Sequence, residues 1–207
     1  MGPLSDITPY SRDRRSLRIG LMGGSFNPAH IGHLEMAKLA RSAARLDQLI
    51  WLVSPQNPLK SSDGMGSFEE RFGAAQKLAA PYHWLFVSRY EQGLSSASQH
   101  GASTIHTLVQ LRTQFARTQF IWVMGADNLM QFPQWLAPSD IVKTIDILVL
   151  DRPGYGYQAL SGQGRALMGR RVHPARLGRT DTPSWSFVFG PRFTQSGTAL
   201  RAAGRGL

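Results

Sequence analysis

His30 and His33 stand three residues apart at the end of the string Gly23-Gly24-Ser25-Phe26-Asn27-Pro28-Ala29-His30-Ile31-Gly32-His33. On the first turn of a helix, residues at that spacing are neighbours, with Cβ atoms roughly 5–6 Å apart. A helix N-terminus presents unpaired N–H groups and partial positive charge, which together attract anions. Two imidazoles placed there can donate to phosphate oxygens and gain positive charge as a reaction demands it. Gly23-Gly24 lets the backbone turn tightly and approach a ligand closely, Pro28 fixes the loop, and Gly32 keeps the surface between the imidazoles open. The same two residues could instead be capping or buried histidines. The full string, placed directly after an apolar run, favours the phosphate reading.

Three further stretches carry side chains fit for chemistry. Ser196-Gly197-Thr198-Ala199-Leu200-Arg201 sets two hydroxyls at a helix start and adds the planar fork of Arg201. A plain helix cap explains it as well. Residues 54–60 hold Pro55 and Pro58, which stiffen a turn, and Lys60, a mobile cation. Gly125-Ala126-Asp127-Asn128-Leu129 permits close approach at Gly125 and offers Asp127 as an acceptor for ribose hydroxyls. Trp135, ten residues after Gly125, supplies either an aromatic face for a flat ring or an ordinary core residue.

These side chains need a scaffold, and hydrophobic periodicity predicts one. Residues 17–22 are apolar apart from Arg18 and read as a short buried strand. Residues 31–46 read as a helix, with Met36, Leu39, Ala40, Ala43 and Leu46 on one stripe. Residues 48–54 form a second strand, stopped by Pro55. Further strands are predicted at 84–88, 119–124, 146–150 and 185–189. Helices are predicted at 68–79, 104–115 and 158–168, with a helical turn at 140–143 and a last short helix from about Thr198. Strands alternating with helices give an α/β fold: a mostly parallel sheet with helices on both faces. In such a sheet ligands sit beyond the carboxyl ends of the strands, which is where the four stretches above fall. Residues 1–16 read as a flexible arm, 17–207 as one domain, and 169–184 as a surface loop.

Composition sets the outer limits. The chain has 207 residues, no cysteine, and a formal charge of +10 from 23 Lys+Arg against 13 Asp+Glu. That balance suits anionic partners, although Arg is spread along the chain rather than massed. A nucleic-acid-binding module would show basic residues clustered with aromatics or a reading helix, and neither is evident. No apolar run is long enough for a membrane span and no signal peptide is read, so a cytoplasmic protein is expected. His83, His100, His106 and His173 have no metal-ligand spacing and read as surface or capping residues. Glu69, Glu70 and Arg71 read as a solvated helix start. No Asp/Glu cluster looks like a divalent-cation cage, so no protein metal site is expected.

The string from Gly23 to His33 resembles the signature of the HxGH nucleotidyltransferase superfamily. That resemblance implies a Rossmann-like, doubly wound fold that binds a nucleoside triphosphate. A substrate phosphate would attack the α-phosphorus with no covalent enzyme intermediate. It implies His30 and His33 as contacts to the triphosphate, and Ser196, Thr198 and Arg201 as holders of its β- and γ-phosphates. The segment 196–201 resembles the superfamily's Ser-x-Thr-x-x-Arg signature, with Gly197 where Ser is frequent.

Three elements narrow the resemblance to the nicotinate mononucleotide adenylyltransferases: Gly125 to Leu129 with Trp135, Ala102-Ser103-Thr104-Ile105-His106-Thr107-Leu108, and Arg152-Pro153-Gly154. Ser103 replaces that subfamily's Tyr. The resemblance runs from about Leu17 to Arg201. It implies transfer of AMP from ATP to nicotinate mononucleotide, with Mg²⁺ carried on ATP. Gly23, Gly24, Ser25, Phe26, Gly125 and Asp127 would join the histidines and the 196–201 segment around ATP. Asn27, Lys60, Thr104, Trp135 and Arg152 would face the mononucleotide. Pantetheine-phosphate adenylyltransferases and cytidylyltransferases of alcohol phosphates generally lack the Gly-Ala-Asp…Trp block. Nicotinamide mononucleotide is the closer rival substrate, and oligomeric state is not legible.

Overall fold

The structure is a computed structural model that describes residues 16–55, 64–97, 103–152, 155–179 and 183–190. In chain order it runs β1 (Arg18–Gly24), α1 (Ile31–Ala44), β2 (Gln48–Val53), α2 (Phe68–Ala79), β3 (Leu85–Ser88), α3 (Tyr90–Ala97) and α4 (Thr104–Gln114). It continues through β4 (Gln119–Gly125), α5 (Ala126–Gln131), α6 (Pro138–Thr144), β5 (Asp146–Leu150), α7 (Gly156–Ser161), α8 (Gln163–Leu167) and β6 (Trp185–Val188). The arm at 1–15, Lys60 and the predicted helix from Thr198 lie outside the described residues.

The six strands form one sheet in the order β3-β2-β1-β4-β5-β6, and every neighbouring pair is parallel. The doubly wound expectation holds. Strands buried on both faces alternate their side chains between two cores. Ile19, Leu21, Ile50, Leu52, Trp122, Ile147 and Val149 join Leu108 and Leu111 of α4, Leu129 of α5 and Ile141 of α6. Met22, Leu49, Trp51, Val53, Ile121, Val123, Leu148 and Leu150 join Leu34, Ala37 and Ala40 of α1 and Phe72 and Ala75 of α2. The expected stripe of α1 is met in part: Met36 and Ala40 are buried in this second core and Leu39 packs against it, but Ala43 stays outside, Leu46 lies beyond the helix end, and Leu34, Ala37 and Ala44 complete the buried face.

Four differences from the sequence reading have physical causes. Helix α3 was not expected, because Gly93 and two serines give its segment weak helix propensity. Tertiary contacts hold it: Tyr90 is buried and its hydroxyl donates to Gln114 of α4 at 3.1 Å. Helix α5 forms in a stretch beyond β4 to which periodicity assigns no element, because Ala126 and Leu129 are both drawn into the core. The predicted helix at 158–168 is broken at Gly162 into α7 and α8. In α8 a Cβ at Gly164 would lie 1.8 Å from the Leu129 carbonyl oxygen, so this close crossing of α5 requires glycine.

The fourth is a correction: the described part of 169–184 is docked rather than a surface loop. Leu177 is fully buried, Val172 N–H donates to the Trp185 carbonyl at 2.9 Å, Trp185 N–H donates to the Arg170 carbonyl at 3.0 Å, and Gly178 donates to Asp146 at 2.8 Å. Arg165 and Arg171 both lie over the Trp185 ring, which uses part of the basic cluster structurally.

Candidate active site

The chain places β1 and β4 side by side although α1 leads one way along the sheet and α5 the other. Connections diverge at that point and leave a crevice beyond the strand ends, the usual ligand position in this architecture. The loop from Ser25 to His30 follows β1, and Gly125 closes β4.

Loop one is built around its aromatic residues. Gly23 runs against the Trp122 indole, where a Cβ would sit 2.7 Å from the ring. Phe26 takes a left-handed backbone (φ 47°), an uncommon and costly conformation for a bulky residue. Burial of its ring at 4.8 Å from His33 and 5.1 Å from Trp51 holds it there. Phe26 is therefore a wall behind His33, and only its backbone can reach a nucleotide directly.

His30 caps α1 with extended backbone, and its N–H donates to His33 Nδ1 at 3.2 Å. That bond fixes the His33 tautomer, leaving the proton on Nε2. The two rings lie 3.9 Å apart between centroids, so the pair meets as the spacing predicts. His30 is only 6% exposed, less open than Gly32 suggested, and its Nδ1 is buried without a partner. Its pKa is lowered to about 4, by burial first and then by the Arg152 charge. His30 is therefore neutral near pH 7.

Across the crevice, Arg152 Nη1 donates to Asp127 Oδ2 at 2.6 Å. Asp127 Oδ1 is buried and has no partner. Gly125 makes this approach possible: a Cβ there would lie 2.4 Å from Asp127 Oδ1 and 3.0 Å from Arg152 Cδ. Buried polar atoms are nearly always hydrogen-bonded, so the orphans at His30 and Asp127 mark groups that a ligand can satisfy. Trp135 is partly buried and stands edge-on to Trp122 at 6.2 Å and to Phe132 at 5.3 Å. It shares Trp122 with Gly23, which ties the Trp135 segment to loop one.

The remaining predicted residues divide. Thr104 opens α4, half-buried, behind its N-cap residue Ser103. The Asn27 amide donates to the Gly64 carbonyl and accepts from Gly66 N–H, both at 3.1 Å, so it binds backbone. Lys60, Ser196, Thr198 and Arg201 lie outside the described residues. Among the described residues no three His, Asp or Glu side chains converge to hold a metal ion. His83 and His106 are exposed and His173 caps a turn through Ala175 N–H, as read from spacing. His100 lies outside the described residues.

Two residues escaped sequence reasoning. Glu69 and Glu70 are solvated as expected, but Arg71 is 1% exposed and not part of a solvated helix start. Its position on the stripe Phe68, Phe72, Ala75, Ala79 was the signal available. Glu91 in α3 is also buried, accepts from Thr107 Oγ1 at 3.4 Å, and has its carboxyl pushed up to about 7 by burial.

A family model described as cytidylyltransferase-like matches residues 21–202. A Parvibaculum lavamentivorans protein named "Probable nicotinate-nucleotide adenylyltransferase" is 42% identical over 192 residues, covering 91% of this chain and 92% of its own. A protein of the same name from Agrobacterium fabrum is 38% identical, covering 88% of this chain and 97% of its own. A solved structure of Plasmodium falciparum nicotinic acid mononucleotide adenylyltransferase complexed with NaAD matches with a TM-score of 0.65 at 14% identity. It covers 90% of this chain and 83% of that one, and at such identity it speaks for the fold alone. The matched span, the identities and the mutual coverage place this chain in the nicotinate-nucleotide adenylyltransferase family.

Proposed function

We propose that the protein transfers AMP from ATP to nicotinate mononucleotide in the cytoplasm, through one domain spanning 17–207. An oxygen of the mononucleotide phosphate attacks the α-phosphorus of ATP. The bond from that phosphorus to the bridging oxygen breaks, and pyrophosphate leaves with the electron pair. The products are nicotinate adenine dinucleotide and pyrophosphate. Mg²⁺ carried on ATP would supply charge neutralisation at the phosphates, with no protein carboxylate cage required among the described residues.

The observation that carries this reading is the histidine pair, 3.9 Å apart at the start of α1. It lies close enough to Arg152 for that charge to depress His30. Phosphoryl-type transfer needs positioning and charge stabilisation more than a protein nucleophile, and this crevice supplies both. His33 donates through Nε2 to the triphosphate. Neutral His30 gains a phosphate contact for its orphan nitrogen or a proton as charge develops. The backbone of Gly23, Gly24, Ser25 and Phe26, with Gly125, shapes the ATP side. Ser196, Thr198 and Arg201 hold the departing phosphates. Asp127 holds a ribose hydroxyl through Oδ1. Asn27, Lys60, Thr104, Trp135 and Arg152 serve the mononucleotide side, Asn27 by fixing the backbone at 64–66.

The test is a panel of acceptors with ATP, reading pyrophosphate release. Nicotinate mononucleotide should be used best, ahead of nicotinamide mononucleotide, pantetheine phosphate and glycerol phosphate. Preference for one of the last two would overturn the assignment.

A further inference from the structure

Arg71 stands in the first turn of α2 yet ranks among the largest fully buried side chains. Its guanidinium donates from Nε to the Gly66 carbonyl at 3.0 Å and from Nη2 to Pro55 at 2.9 Å. Nη1 donates to both Ser25, at 2.6 Å, and Ser54, at 2.8 Å. Those four carbonyls belong to three separate segments: loop one, the exit of β2, and the approach to α2. Burial lowers the guanidinium pKa, but arginine stays ionised in proteins, so the charge must be satisfied where it sits. A buried charge left short of partners is costly, which makes these contacts a set that forms together. Asn27 completes the clamp from the other side through Gly64 and Gly66.

We infer that Arg71 is a positioning residue that locks loop one to the exits of β2 and thereby sets the histidine pair. The inference rests on the reading of that loop as the triphosphate site. The Ser25 carbonyl belongs to the peptide unit entering the left-handed Phe26, whose ring backs His33. Holding that carbonyl therefore orients the peptide from which the rest of the loop departs. The guanidinium also holds the Pro55 carbonyl, and the Asn27 amide holds the Gly64 carbonyl. No contact between Arg71 and a substrate is required. A flexible ammonium cannot reproduce a planar fork that reaches four carbonyls.

The experiment compares wild-type protein with Arg71→Lys and Arg71→Gln, using amide hydrogen exchange by peptide and steady-state kinetics with ATP and nicotinate mononucleotide. Exchange should rise at least about tenfold within 24–33, 54–55 and 64–67, a shift of about 1.4 kcal/mol in local opening. It should remain unchanged in β4 and α4. In Arg71→Lys, kcat should fall about 10–100-fold, as a small misplacement of reacting groups costs, with KM for both substrates changing far less. Arg71→Gln should be worse. Uniform acceleration of exchange over the whole chain, unchanged loop exchange, or failure of both variants to fold would overturn the positioning role. So would kcat within error of wild type. Wild-type protein inactive in AMP transfer would instead refute the proposed function, while the exchange measurement would still decide the role of Arg71.

Discussion

Arg152, just past β5, and Asp127, in the first turn of α5, form an ion pair of 2.6 Å that closes one side of the central crevice. Each side chain is about a quarter exposed (25% and 24%), so water weakens the pair without dissolving it. One carboxylate oxygen is engaged and the other, buried, is not. Two residues expected to serve different substrates are thus one unit. Arg152 also reaches His30 electrostatically, which joins the unit to the histidine pair.

Coupling between the two should be measurable. A double-mutant cycle with Asp127→Asn and Arg152→Met, read as kcat/KM, should give an interaction energy of about 0.5–3 kcal/mol, as contacting pairs do. Strict additivity would show that they act separately.

The sequence announced the scaffold because its signals are local. Burial on both faces of β1, β2, β4 and β5 produces apolar runs, and Gly23-Gly24 before the histidines marks the turn. The meeting of His30 and His33 follows from a spacing of three on one helix. The Asp127–Arg152 pair joins residues 25 apart from the ends of two strands, and no local pattern reports which strands will be neighbours. Helix α3 depends on Tyr90 finding α4, a tertiary contact that overrides weak propensity. The burial of Arg71 is not legible because charge usually signals solvent, whereas here it lies on the buried stripe of α2 beneath three loops. Lys60, Ser196, Thr198 and Arg201 were named from sequence and lie outside the described residues.

Replacing His30 or His33 by Ala should lower kcat by roughly 10²–10³, as loss of one preorganised donor does. Near-normal turnover in either variant would remove that residue from the mechanism. His30 should titrate near pH 4 by NMR in the free protein, and ATP should raise that midpoint. Because its folded pKa lies below the unfolded value of 6.5, its neutral burial contributes stability above that pH. That contribution is lost as pH falls from 6.5 toward 4. A midpoint near 6.5 without nucleotide would contradict the buried placement.

Trp135 should act on one substrate only. Stacking on an aromatic contributes about 1–3 kcal/mol per ring, so Trp135→Ala should raise KM for nicotinate mononucleotide roughly 5–150-fold. KM for ATP should hardly move, and Trp135→Phe should recover much of the loss. Equal loss of both affinities, or a large drop in melting temperature, would make Trp135 a core residue packed on Trp122 and Phe132.

Glu91 imposes the opposite pH dependence from His30. Its folded pKa, about 7, lies above the ordinary carboxyl value of 4.5, so the native state holds the proton more tightly. Stability should therefore fall as pH rises from 4.5 through 7. Glu91→Gln, which keeps a polar partner for Thr107 but no charge, should stabilise the protein at pH 8 by about 2 kcal/mol. At pH 4 the difference should vanish. Denaturant melts at the two pH values decide this, and a pH-independent difference would mean that ionisation of Glu91 is not the cause.

The proposed reaction is direct attack of the mononucleotide phosphate on the α-phosphorus of ATP in the β1/β4 crevice. Mass spectrometry of the products from unlabelled ATP and nicotinate mononucleotide labelled with ¹⁸O in its phosphate tests it. All of the label should appear in nicotinate adenine dinucleotide, including the bridging oxygen, and none in pyrophosphate. Label in pyrophosphate, or no dinucleotide from this pair of substrates, would rule out direct attack.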